Sequence, residues 1–106
     1  MSTIGIGTPG LMLPAAELKA TMDGNSILIG TLVRTPLKII LNNLSTVEVV
    51  ISISFDGGTT KISWMTFAAG QALVLDDDLW TFPLGASFYG VGASGEFSVA
   101  YTYIKQ

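Results

Sequence analysis

The chain has 106 residues, with five lysines and arginines, eight aspartates and glutamates, no cysteine and no histidine. That is the length of one domain, able to bury roughly 65% of its unfolded surface without covalent staples. The missing residue types exclude disulfides, thiolate or imidazole metal centres, and catalysis through Ser-His-Asp or Cys-His groups.

Net charge is −3, and the cations Lys19, Arg34, Lys38, Lys61 and Lys105 are scattered, so no basic patch exists to neutralise phosphates. Charged residues make up 12% of the chain, against about 25% in ordinary soluble domains. Two readings follow: a soluble β-domain with a Ser/Thr/Gly exterior, or a surface covered by copies of itself or by a partner. The second is favoured. The longest apolar stretch, Ile27 to Leu41, is broken by Arg34, Pro36 and Lys38 and falls short of the roughly 20 apolar residues of a spanning helix. The N-terminus has no basic start, and Gly5, Gly7, Pro9 and Gly10 interrupt its apolar residues. No secretion signal is therefore expected, and synthesis in a cytoplasm is.

Residues 1–25 read as an irregular N-terminal arm, because Gly5, Gly7, Pro9, Gly10 and Pro14 prevent a long regular element. Its apolar residues Ile4, Ile6, Leu11, Met12 and Leu13 are unusual for a solvated tail. They are candidate contact residues for a neighbouring subunit, or equally a strand folded over the chain's own core. Ala15 to Met22 is rich in helix formers and reads as a short helical turn, ended by a turn at Asp23-Gly24-Asn25.

Residues 26–106 read as a β-sandwich domain. Ile27 to Arg34 and Leu37 to Leu41 are strands, with Pro36 marking an edge strand or a break, and Asn42-Asn43 a turn. Val47 to Phe55 alternates most clearly, with Val47, Val49, Ile51, Ile53 and Phe55 on one face. Asp56-Gly57-Gly58 supplies a tight hairpin. The returning strand, Thr59 to Phe67, places Ile62 and Trp64 on one face and Met65 and Phe67 on the other. Gln71 to Leu75 follows, then Asp76-Asp77-Asp78 and a short element from Leu79 to Phe82. Ser87 to Val91 and Glu96 to Ile104 form the last pair, with Phe97, Val99, Tyr101 and Tyr103 sharing a face. Short strands at roughly ten-residue spacing predict an all-β antiparallel sandwich or barrel.

Few residues are candidates for chemistry. Asp76, Asp77 and Asp78 suggest a calcium site, but three consecutive residues of an extended segment do not converge on one ion; a solvated turn that blocks edge pairing is preferred. Asp56 with Glu96, or Asp56 with the Asp76-Asp77-Asp78 cluster, could be imagined as an acid–base pair, and nothing in the sequence brings either combination together. Trp64, Trp80, Phe88, Tyr89, Tyr101 and Tyr103 suggest a sugar-stacking platform, although sheet aromatics more often form core or interface. No enzyme activity, metal or cofactor is expected.

The run Val50-Ile51-Ser52-Ile53-Ser54-Phe55-Asp56-Gly57-Gly58-Thr59-Thr60, and then Phe67-Ala68-Ala69-Gly70-Gln71-Ala72-Leu73-Val74-Leu75-Asp76, resemble small virion proteins of tailed bacteriophages. The resemblance spans roughly Asn42 to Ile104. It implies a jelly-roll-like sandwich that binds the shell as a capsid decoration or cement protein, or else a tail, baseplate or head–tail connector component. The partners it implies are the major capsid protein or other virion proteins, in a homo-oligomer or symmetric array, with no nucleic acid and no membrane. The implied location is the virion. A carbohydrate-binding β-sandwich module is the alternative from another class.

Overall fold

A computed structural model of the chain describes residues 15–76 and 85–103. Among them there is no helix. Eight strands follow in order: β1 (Ala15–Thr21), β2 (Ile27–Thr31), β3 (Pro36–Asn43), β4 (Val49–Ser54), β5 (Ile62–Phe67), β6 (Ala72–Leu75), β7 (Ser87–Val91) and β8 (Glu96–Tyr103). They form two antiparallel four-stranded sheets, ordered β1-β8-β3-β6 and β2-β7-β4-β5. The pairing is nested: the first strand pairs with the last, the second with the seventh, the third with the sixth, and the fourth with the fifth. Apart from the β4–β5 hairpin, every connection passes from one sheet to the other.

The alternation expected from the sequence is realised best in β4 and β8. Val49, Ile51 and Ile53 are buried on β4, and Phe97, Val99 and Tyr101 on β8, with Tyr103 packed partly against the same core. Phe55 departs from the pattern, because β4 ends at Ser54 and Phe55 stands in the turn, 52% exposed. Leu32, Ile39, Leu41, Phe67 and Phe88 complete the largest buried apolar side chains. The two sheets meet through this core, where the rings of Phe67 (β5) and Phe97 (β8) sit edge-to-face with centroids 5.0 Å apart.

Four expectations are corrected. Ala15 to Thr21 is not a helical turn within an arm but strand β1, paired with β8 from Ala15 opposite Thr102 to Thr21 opposite Glu96. Its Ala16, Leu18 and Ala20 pack on the core while Glu17 and Lys19 face water, so pairing and burial override helix propensity. Of the two readings of Pro36, the break holds and the edge does not: β2 ends at Thr31 and β3 begins at Pro36, but β3 lies between β8 and β6. Asn42 and Asn43 are not a turn but the end of β3. Lastly, a bulge between Ile51 and Ser52 in the β4–β5 register leaves Trp64 without a direct opposite. Trp64 and Met65 consequently both pack against the core, along with Phe67, instead of pointing to opposite faces.

One end of the molecule is closed by polar bonds. The Asn43 amide nitrogen donates to the carbonyls of Val47 (2.9 Å), Phe67 (3.2 Å) and Ala68 (3.0 Å), and its oxygen accepts from the Ser45 backbone N–H and hydroxyl. At the same end Met22 N–H donates to Gly95 O and Leu44 N–H to Glu96 O.

Candidate interaction surfaces

The residues considered for chemistry do not assemble. Register places Val91 beside Val50 and Ser87 beside Ser54. Glu96 lies past the first pair and Asp56 past the second, so the two carboxylates stand at opposite ends of the molecule. Asp56 serves its own turn: its Oδ1 accepts from Thr60 N–H and from the Ser54 hydroxyl, both at 2.8 Å. The backbone N–H of Thr60, followed by the Ser54 hydroxyl, holds its carboxyl below the ordinary aspartate value. Asp76 is exposed at the end of β6, and Asp77 and Asp78 lie outside the described residues. Among the described residues no group of three acidic side chains is placed to hold a metal ion.

The five of the six aromatics that lie among the described residues do not form a platform. Phe88 and Tyr101 are buried; Trp64 and Tyr103 pack against the core. Trp80 lies outside the described residues. Of the five described, only Tyr89 turns to the outer face of its sheet, and it is occupied there. The Lys61 ammonium sits 4.4 Å from its ring centroid and donates to Ser26 Oγ at 3.2 Å, while the Gly58 backbone lies against its hydroxyl. Ile4, Ile6, Leu11, Met12 and Leu13, the candidate contact residues, also lie outside the described residues.

What the fold does assemble is apolar surface on the outsides of both sheets. On β1-β8-β3-β6, Glu17, Ala100, Ile40 and Val74 stand opposite one another in a single row. Ala15, Thr102 and Lys38 form the next row. Ile40 is 38% exposed and Val74 51%. Ala15, Lys38, Ile40, Ala100, Tyr101 and Thr102 line a shallow depression there. On β2-β7-β4-β5 the corresponding residues are Leu28, Val50 and Val91, with Leu28 beside Tyr89 and Val91 beside Val50. Sequence reasoning did not single these residues out. Their signal is the unbroken apolar runs Ile39-Ile40-Leu41 and Leu73-Val74-Leu75, which put apolar groups on both faces of a strand.

Comparison of the chain with protein-family models, with curated proteins and with solved structures finds no match.

Proposed function

We propose that this chain is a virion structural protein, a decoration or cement protein that binds the outside of a capsid shell and bridges its subunits. The observation that carries the reading is the apolar outer surface of both sheets in a chain of so few charges. A surface built this way suits a molecule covered by neighbours, since large exposed apolar patches mark interaction sites. The nested order β1-β8-β3-β6 with β2-β7-β4-β5 supports reading the two sheets as a jelly-roll-like sandwich, an architecture used by capsid and lectin domains. The resemblance of the runs at 50–60 and 67–76 to small phage virion proteins is what leans this reading to the capsid rather than the lectin. Burial of Phe88 and Tyr101, and occupation of Tyr89 by Lys61, favour the same choice, because a sugar platform needs free ring faces.

In this reading the protein works by binding alone, with no cofactor and no reaction. Copies arrayed on a symmetric shell attach many times over, so each contact needs little affinity. The apolar residues Ile4, Ile6, Leu11, Met12 and Leu13 of the N-terminal arm lap onto the neighbouring subunit. Quantitative mass spectrometry of purified particles tests the placement. A copy number comparable to the main shell protein is expected. A far smaller number moves the protein to the tail, baseplate or connector, and absence from particles overturns the virion reading. Deleting residues 2–14 tests the arm: a truncated protein that folds and binds the shell as tightly as the full chain removes it from the mechanism.

A further inference from the structure

We propose that the free edge of β5 is a self-association edge, along which β5 of a second copy pairs antiparallel about a two-fold axis, with Ser63 of each opposite Thr66 of the other and Trp64 of each opposite Met65 of the other.

The four outer strands differ in how their edges are guarded. An edge strand leaves a row of main-chain groups without partners, and proteins guard such rows with charge, brevity, irregularity or cover. β1 carries Glu17 and Lys19, both turned to water. β2 is irregular between Leu28 and Gly30, and its Gly30 backbone lies against the Leu18 side chain of β1. β6 is four residues long and runs into Asp76. β5 is six residues long and holds neither charge nor proline. It pairs with β4 on one side, and among the described residues no strand pairs with its other side.

The bulge at Trp64 decides what matches that edge. Residues directly opposite across a ladder share a face. Ile62, Met65 and Phe67 stand opposite Ile53, Ile51 and Val49, on the buried face of β4; Ser63 and Thr66 stand opposite Ser52 and Val50, on the outer face. The extra residue, Trp64, also packs against the core. Along β5 the order is therefore inward, outward, inward, inward, outward, inward, which is the same from either end. A regular strand of six residues lacks this property, since its first and last side chains point to opposite faces. A two-fold axis perpendicular to the sheet, between the edges of two copies, keeps each face on its own side. It sets Ile62 opposite Phe67, Ser63 opposite Thr66 and Trp64 opposite Met65, so every pair shares a face and matches in polarity. A shift of one residue either way puts Ser63 and Thr66 opposite inward residues. A straight strand leaves one residue of β5 unopposed, as β4 leaves Trp64. The edge is thus complementary to itself, as an isologous contact requires.

The contacts across the axis are favourable ones. Trp64 and Met65, each partly buried in one copy, meet as aromatic and thioether. Ile62, 54% exposed, is covered by the partner strand. Lys61 comes opposite Ala68 of the partner, so the lysines of the two copies stay at opposite ends of the joint. A single strand pair is a small contact, and the association is weak and concentration-dependent.

This pairing does not depend on the virion reading, and sedimentation equilibrium of the full chain with no shell present tests it alone. A monomer–dimer equilibrium is expected. Thr66→Lys, at an exposed position, weakens it by at least about tenfold, because the axis brings two unpaired lysines into the joint. Ser63→Glu/Thr66→Lys recovers it to within about threefold, since each lysine then meets a glutamate directly opposite. Far-ultraviolet circular dichroism stays unchanged in both. Cross-linking tests the register in a chain that has no cysteine of its own. Ser63→Cys and Thr66→Cys chains, mixed in equal amounts with a mild oxidant, form a disulfide-linked dimer. Neither does so alone, because like positions lie three residues apart, about 10 Å along the strands and beyond disulfide reach. A chain that stays monomeric at all concentrations overturns the proposal. So does a dimer that Thr66→Lys leaves intact, a double variant no better than Thr66→Lys, or single-cysteine chains that cross-link as readily as the mixture.

Discussion

The side-chain amide of Asn43 on β3 donates to the carbonyl of Phe67 on β5 at 3.2 Å, which fastens the end of one sheet to the end of the other. Asn43 is fully buried, and with its further bonds to Val47, Ala68 and Ser45 it satisfies main-chain groups of the β3–β4 and β5–β6 connections at once. Buried polar groups cost free energy when left unpaired, so the whole set depends on one side chain. Asn43→Ala is expected to destabilise the protein by about 3 kcal/mol, read as a lower urea midpoint with an unchanged slope. Asn43→Asp keeps the shape but turns a second acceptor toward three carbonyls. It should be at least as harmful at neutral pH. A mild effect of Asn43→Asp would mean that volume, not hydrogen bonding, is what this position supplies.

Gly58 makes a second test, because two separate constraints meet there. Its φ of +99° is in the left-handed region, and an added Cβ runs into the Tyr89 hydroxyl. Gly58→Ala should therefore cost the conformational penalty of about 1–2 kcal/mol plus the displacement of the tyrosine. Removing the hydroxyl first relieves only the second part. In a Tyr89→Phe background, thermal denaturation should show a smaller loss for Gly58→Ala than in the unmodified chain. Equal losses in both backgrounds would mean that the turn does not rest on Tyr89.

Much of this fold was legible wherever one strand face is apolar and the other polar. Val49, Ile51 and Ile53, and again Phe97, Val99 and Tyr101, announce their strands by period two. Ala15 to Thr21 was not legible, because its alanines, leucine, glutamate and lysine suit either periodicity, and pairing with β8 decides between them. Asn43 carries a turn residue's signature and does bond the nearby Val47 and Ser45, yet it occupies a buried strand end where it also holds carbonyls more than twenty positions away. The Trp64 bulge is likewise a property of the β4–β5 register, not of either strand alone. The row Glu17, Ala100, Ile40 and Val74 is drawn from four strands, and no feature of the sequence sets that alignment.

Asp56 gives the protein a specific acid response. Hydrogen bonds from Thr60 N–H and the Ser54 hydroxyl favour its ionised form and lower its folded pKa. A lowered carboxyl pKa contributes stability that is present above the unfolded value of about 3.9 and is lost as pH falls through the folded value. The group is exposed, so the contribution is small and screened by salt. Asp56→Asn removes the titration while keeping an acceptor oxygen. Thermal midpoints measured from about pH 6 down to about pH 2 should show the two chains converging as acid is added, with the natural chain ahead only at the upper end. A constant gap across the range would assign the difference to turn geometry and not to charge.

Whether the two sheets hold one another through specific ring contact or through bulk burial is decided at Phe67 and Phe97. Both are fully buried, come from opposite sheets, and meet at an interplanar angle of 79°. That geometry sets the positive edge of one ring against the negative face of the other, worth about 0.5–1.5 kcal/mol beyond area burial. Phe67→Leu and Phe97→Leu each remove ring volume and should each cost about 1–2 kcal/mol. In the double variant the shared contact is lost only once, so the combined loss should fall short of the sum by about 1 kcal/mol. Urea denaturation of the four chains gives that coupling directly. Additivity within about 0.3 kcal/mol would mean that the rings merely fill space, and that Asn43 at the sheet end, not the aromatic pair, sets how the sheets register.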